Sequence, residues 1–274
     1  MAAEHLQPVV LSPRVPSHDL ARELFDRTAE HYQRRSEHRV TSFSTWIFQR
    51  RIEIVTQFLA RLRTPGRVLD FGMGPGVFAP RCTDRGLDYV GIDISSVMVG
   101  RAQALGLQRA QYRVGDLETL AEFAGQMDVV LAIGLVDYLE APWEGLAALS
   151  AAVKPGGVLI VSFRNRWSLP RALRDAGRAI LTPWRSADSR RAFLGLVHER
   201  SFDGPSELEP ALRRLGHEHF ETAYFNCSPF FSDFPMPAWM FEGWRRVDAV
   251  LASRVTRVLC SGGVMVAAKP MPRL

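Results

Sequence analysis

Residues 68 to 76 read VLDFGMGPG, a short apolar run closed by Asp70 and followed by Gly72, Gly74 and Gly76. Glycines at alternate positions let a backbone turn tightly and approach a ligand closely, which predicts a ligand-cradling loop. A kinase reading of Asp70-Phe71-Gly72 fails, because no HRDxxxxN catalytic loop or upstream glycine-rich strand turn accompanies it. A dinucleotide reading has more support. Gly74 to Ala79 fits GxGxxA, and Asp93 follows Gly76 by seventeen residues, near the spacing of about 20 for a ribose-binding acid. Asp70 argues for another ligand: a helix N-terminus suits pyrophosphate, whereas a carboxylate ahead of the glycines suits an ammonium or a sulfonium.

The elements that must hold these residues follow from periodicity. Residues 1–17 are Pro-rich and read as a loose arm, and Asp19 to Arg35 has helical character. From Trp46 to Leu62, Ile47, Phe48, Ile52, Val55, Phe58 and Leu59 recur at helical spacing, and Thr64-Pro65-Gly66 ends the helix, so 18–63 reads as a helical N-terminal segment. Beyond it apolar runs alternate with helical segments. RVLDF precedes a helix to about Arg85, DYVGID a helix over Ser95 to Leu105, and AQYRV and MDVVLAI follow. A helix over Trp143 to Val153 then leads through Lys154-Pro155-Gly156 into GVLIVSF. Such alternation implies right-handed βαβ units and a doubly wound, mostly parallel α/β sandwich. Glu207 to Leu215 reads as a helix, His217 to Phe225 as a strand, and Val258 to Ala268 as a strand interrupted by Ser261-Gly262-Gly263. The last two strands can pair antiparallel.

Taken in order, the glycine loop, GIDIS around Asp93, GDLE around Asp116, DVVLAIG ending at Gly134 and VKPGG over 153–157 resemble a class I S-adenosylmethionine (SAM) methyltransferase. The resemblance covers residues 66 to 162, and the ordered set is far more specific than any one piece. It implies SAM as cofactor and a Rossmann-like, seven-stranded sheet with an antiparallel last strand. Residues 64–274 would form the SAM-binding domain, with substrate-cap insertions at about 164–205 and 226–256. It further implies that Asp70, Gly72, Gly74 and Gly76 lie against the methionine and ribose parts. Asp93, with Ile94 beside it, would take both ribose hydroxyls, for which a carboxylate is well shaped. Asp116 would accept from the adenine amine, Leu117 would donate its backbone N–H, and Ile133 and Gly134 would line the sulfonium.

The acceptor side is less specific. IGLVDY stands where amine- and amide-methylating relatives carry [DN]PP[YFW], which favours oxygen or carbon over nitrogen as acceptor. Cys227, in NCSPF, follows a late strand and lacks the PC order of base C5-methylation, so it reads as structural. LFDRTAEHYQRR, FSTWIFQRR, VDYLEAP and HERSFDGPSELEPALRRLGHE loosely resemble methyltransferases of the quinone-biosynthesis and magnesium-protoporphyrin type. That resemblance implies that 18–63 is an N-terminal helical lid, in which Tyr32 is a candidate to close over cofactor or substrate. If the acceptor is a hydroxyl, His198 leads as general base because its ordinary pKa lies near working pH, followed by Asp137 and Tyr138. Aromatic residues at Phe230, Phe231, Trp239, Phe241 and Trp244 are expected to shape the substrate cap.

Composition bounds the rest. A chain of 274 residues with 47% hydrophobic content can bury a full core as one domain. The net charge of +5 is concentrated: nine arginines against Asp175, Asp188 and Glu199 between Arg164 and Arg200 leave the remainder near neutral. That basic segment, interleaved with Trp167, Leu169, Leu173 and Trp184, fits a solvated face, a peripheral contact with an anionic membrane, or a pocket edge that recognises a carboxylate or phosphate. Cys82, Cys227 and Cys260 have no CxxC spacing and read as reduced thiols with no metal site. No apolar run approaches a membrane span and the start lacks a leader pattern, so the chain is expected in the cytoplasm. The expectation is a SAM-dependent methyltransferase acting on a small or amphiphilic molecule. The alternatives are an RNA-directed methyltransferase, for which no appended nucleic-acid module is visible, an NAD(P)-dependent oxidoreductase, and a non-catalytic partner subunit.

Overall fold

A computed structural model describes residues 22, 26, 43–62, 66–173, 176, 200–227, 238–251 and 257–271. Seven strands form one sheet: β1 (Arg67–Phe71), β2 (Asp88–Asp93), β3 (Ala110–Val114), β4 (Met127–Ala132), β5 (Val153–Arg164), β6 (His219–Phe225) and β7 (Gly262–Ala268). Their order is β3-β2-β1-β4-β5-β7-β6. The first five pair in parallel, and β7 runs antiparallel to both β5 and β6. The described helices are α1 (Phe43–Ala60), α2 (Ala79–Thr83), α3 (Ser96–Gln103), α4 (Pro142–Ala152), α5 (Glu209–Arg214) and α6 (Ala238–Leu251).

Alternate residues of the central strands feed two separate cores, as the strand period of two requires. Leu69 of β1 and Val130 of β4 join Leu146 and Leu149 of α4 on one face. Val68 and Val129 join Ile52, Val55, Phe58 and Leu59 of α1 on the other. Both faces are covered, so the β1 and β4 sequences are near-continuous apolar runs. Winding reverses between β1 and β4, and the crevice outside the carboxyl ends of strands at such a switch point is where open α/β sheets bind ligands. The glycine loop leaves β1 there, and Ile133 and Gly134 leave β4.

The expected strands and helices that fall on described residues stand within a few residues of their sequence limits, with four differences, whereas all of the segment Asp19 to Arg35 but residues 22 and 26 lies outside the described residues. Strand β5 begins at Val153 rather than after the Lys154-Pro155-Gly156 turn. Its pairing with β4 jumps from Met127↔Val153 to Val129↔Val158, and Gly156 takes φ 79°, so an irregularity absorbs the turn inside the strand. A 3-10 helix over Leu117–Phe123, which apolar spacing did not signal, follows β3; Asp116 caps it by accepting from Glu118 N at 3.1 Å. Ser261 precedes β7 rather than interrupting it, and Gly262 and Gly263 begin the strand, with the rings of Phe225 and Phe163 where side chains would stand.

The fourth difference corrects the cysteine expectation. Cys227 and Cys260 form a disulfide. Cys227 follows the end of β6 and Cys260 precedes β7, and the register that places Phe225 against Gly262 brings their Cα atoms to 3.9 Å. The 33-residue separation hides this adjacency in the sequence. Cys82 is free and buried, as expected.

Candidate active site

The crevice at the switch point is a cavity of about 590 Å³. Its lining joins the carboxyl ends of β1, β2, β4, β5 and β6 to residues of α1, and it brings together Asp70, Gly72, Gly74, Asp93, Ile94, Asp116, Leu117, Ile133, Gly134, Asp137 and Tyr138. Gly76 is not part of the lining. Its φ is +80°, and a Cβ there would stand 3.0 Å from the Ala102 Cβ, so it lets the loop close on α3. Tyr32, His198, Phe230 and Phe231, and the side chains of Trp239 and Phe241, lie outside the described residues. Trp244 packs with Trp46, Ile47 and Met240 instead of lining the cavity.

At one end stand three acids. Asp70 is 1% exposed, and the Tyr89 hydroxyl donates to it at 2.7 Å. Burial pushes its carboxyl up to about 7, against the opposing effect of the Tyr89 hydrogen bond. Asp93 accepts from Gly74 N at 2.8 Å and from Ser95 N at 2.9 Å, which fixes both oxygens beside the loop. Burial also raises Asp93, while those backbone donors oppose the rise. Ser95 caps α3, and its hydroxyl also meets Asp26 of the N-terminal region at 2.5 Å. Gly74 adopts φ +56°, and a Cβ there would meet no protein atom within 4 Å, so this backbone can be approached closely from the cavity. Asp116 reaches the lining while serving as a helix cap. A carboxylate has about four lone-pair sites, so Asp93 can still accept ribose hydroxyls beside its two backbone donors. The acids and the open glycine backbone therefore fit a ligand with a ribose and a cationic methionine portion.

The other end is built by the ends of β5, β6 and β7 and the turn after β4. Asp137 is 5% exposed, its Oδ1 accepts from Arg164 N at 3.0 Å, and its carbonyl accepts from Arg200 N at 2.9 Å. Burial raises its carboxyl to about 6, opposed by the Arg164 hydrogen bond and by the positive charges of Arg164, Arg171 and Arg51. Ser162 accepts from Gly134 N at 2.7 Å and so fixes the turn that follows β4. Arg51 stacks its guanidinium 4.9 Å over Phe48 and lies 2.9 Å from where a Gly134 Cβ would be, which keeps that position free of a side chain.

Sequence reasoning passed over Arg51, Glu140, Ser162, Asn226 and Ser261, all of which line the cavity. Arg164 carried a usable signal, because it ends an expected parallel strand and ligands gather at such ends. Asn226 carried none: its φ of +59° is the only positive value at a described non-glycine residue.

A family model described as a methyltransferase domain matches residues 43–218. The chain is similar to the ubiquinone biosynthesis O-methyltransferase of Xanthomonas axonopodis pv. citri, with 32% identity over 61% of this chain and 67% of that protein. It is 30% identical to the protein of the same name from Azorhizobium caulinodans, over 63% of this chain and 66% of that one. These matches span about two thirds of those relatives' length. Among solved structures, magnesium protoporphyrin IX methyltransferase from Synechocystis PCC 6803 with bound S-adenosylhomocysteine (SAH) superposes with a TM-score of 0.64, covering 92% of this chain and 99% of that one. At 16% identity that likeness speaks for the fold alone. The glycine loop, Asp93 and Asp116 lie within the matched segment, so the dinucleotide reading gives way. The chain belongs to the class I SAM-dependent methyltransferases, and SAM is its cofactor.

Proposed function

We propose that this enzyme methylates an oxygen or carbon atom of a small or amphiphilic molecule. The observation that carries the reading is the continuity of one cavity from the three acids beside the glycine loop to Asp137 and Tyr138. The relatives named as O-methyltransferases support an oxygen acceptor. When bound, SAM supplies an electrophilic methyl group on a sulfonium.

The chain's own residues do the rest. Asp93 holds the ribose hydroxyls, Asp116 and the Leu117 N–H address the adenine, and the Gly72 and Gly74 backbone lies against the methionine part, with Asp70 as its counter-charge. Ile133 and Gly134 form the wall at the reacting methyl. Apolar side chains at Phe48, Phe71, Phe163 and Phe225 exclude water from that point and favour an acceptor with an apolar body. Alignment of donor and acceptor supplies most of the rate.

Asp137 is the general base in this reading. With its carboxyl at about 6 it is ionised at neutral pH yet more basic than an ordinary aspartate. Turnover should therefore rise with pH through about 6 and level off above it. Asp137→Asn should lower kcat by about 100-fold or more at pH 7.5 while leaving SAH affinity intact. The test is SAH release from SAM with hydroxylated aromatic acceptors and their amino analogues, with methylated products located by mass spectrometry. Turnover confined to the amino compounds would overturn the oxygen or carbon assignment.

A further inference from the structure

The cavity sorts its charges by position. Asp70, Asp93 and Asp116 gather around the glycine loop, while the cationic side chains among the described lining residues are Arg51, stacked on Phe48 beside Gly134, and Arg164 and Arg171. Arg164 and Arg171 stand with the buried acid Asp137, which already accepts from the Arg164 backbone, and the other acid of the lining beyond the β4 turn, Glu140, is exposed. Arg171 is pinned at this wall by the hydrogen bond from its Nη2 to the Ser261 carbonyl at 2.7 Å. A guanidinium held in a fixed plane inside a largely apolar pocket is suited to a planar carboxylate, which it can engage through two parallel N–H groups.

Asn226 supplies a second, independent observation at the same wall. It is 7% exposed, lines the cavity, and holds a left-handed backbone conformation that costs a non-glycine residue free energy. Its side-chain amide donates to the Ser261 hydroxyl, and its Oδ1 is buried with no hydrogen-bond partner. Turning the amide over gives the Ser261 hydroxyl a carbonyl to donate to and makes the NH2 the group without a partner. In either orientation one buried polar atom of Asn226 is left for a ligand, and beside two guanidinium groups an anion is served by the NH2. A buried polar atom left without a partner is destabilising, which a ligand contact offsets.

We propose that the methyl acceptor is an anion, and that its carboxylate is held at the ends of β5, β6 and β7 by Arg164 and Arg171 with the Asn226 amide as third contact. This rests on the reading of the cavity as the methyl-transfer site and adds the acceptor's charge and the end at which it docks. The acceptor then enters with its anionic group away from the acids at the cofactor end, which leaves its reacting atom towards Gly134 and Asp137.

The probes are 3,4-dihydroxybenzoate and its methyl ester, which share the ring and hydroxyls and differ in charge. Each is titrated into the full chain saturated with SAH, with affinity read by calorimetry and folding checked by the SAH-induced rise in Tm. The acid should bind at least tenfold more tightly than the ester. Arg171→Gln should weaken the acid by about 10- to 100-fold, to the level of the ester, with the SAH shift unchanged. Arg171→Lys should recover part of the loss, and Asn226→Ala should weaken the acid while barely touching the ester. Equal binding of acid and ester, no binding of either to the SAH complex, or indifference of the acid to Arg171→Gln would each overturn the proposal. Failure of SAH itself to shift Tm would instead overturn the assignment of the cavity.

Discussion

Asp70 shows how one residue can set stability against binding. Its folded pKa of about 7 lies above the ordinary 3.8, so between about pH 4 and pH 7 the native state keeps a proton that the unfolded chain gives up. The native state then binds more protons than the unfolded, and stability falls as pH rises through that window. The difference between the two values corresponds to roughly 4 kcal/mol once both states are ionised. Asp70→Asn keeps an acceptor for the Tyr89 hydroxyl and removes the buried charge. The cofactor-free variant should match the parent near pH 4 and exceed its Tm by several degrees near pH 8. A cationic ligand favours the ionised carboxylate, so SAM affinity of the parent should climb from pH 6 to pH 8 while that of the variant stays flat. Parallel stability curves for the two proteins would contradict this account of Asp70.

The glycine loop and the helices that fasten the site are tested by different substitutions. Gly74→Ala places a Cβ where no protein atom stands, so the cost in stability is the left-handed backbone, about 1–2 kcal/mol, and the larger effect should be weaker SAH binding. Gly76→Ala drives a Cβ to 3.0 Å from Ala102 and 3.1 Å from the Leu105 Cδ1, so it should lower Tm more and affect SAH less directly. Helix α6 is fastened to α1 by Arg50 Nε and Asp248 Oδ2 at 3.2 Å, and Asp248 Oδ1 also accepts from Cys227 N at 2.9 Å. Arg50 keeps Glu53 as a partner at 2.8 Å, so the cost of Asp248→Ala comes chiefly from the buried Cys227 N–H left without its acceptor, and thermal unfolding should show a loss of about 1–3 kcal/mol. At this scale the sequence was most informative where one cause dominated. Strands β1, β2 and β4 were legible because burial on both faces leaves continuous apolar runs, and α3 because its apolar spacing is helical. The 3-10 helix after β3 and the irregular start of β5 were not, because a side-chain cap and a register shift fix them. The acids of the cofactor end were legible for a related reason, since each closes or follows a strand. Arg51 and Asn226 were hidden, because packing between distant segments brings them to the cavity.

The whole molecule is a doubly wound sheet whose last strands close the end of the cavity away from the glycine loop, and the Cys227–Cys260 disulfide ties those strands together beside Asn226 and Ser261. Closing a loop of this separation contributes about 3–4 kcal/mol in the chain-entropy account. Melting in the presence of a reductant, or of the Cys227→Ser/Cys260→Ser pair, should show a fall in Tm of several degrees. Among the described residues no helix is long and apolar enough to cross a membrane. The central claim is that one cavity binds the cofactor through the acids beside the glycine loop, and a thermal-shift titration with SAM, SAH, NADH and NADPH on the parent and on Asp93→Ala tests it most directly. Ligand at 100 times its Kd stabilises by about 2.7 kcal/mol, which for a chain of this size amounts to roughly 2–4 °C per kcal/mol. The account predicts such a shift with SAM and SAH alone, abolished by Asp93→Ala. A shift confined to the nicotinamide cofactors, or an SAH shift indifferent to Asp93→Ala, would contradict it.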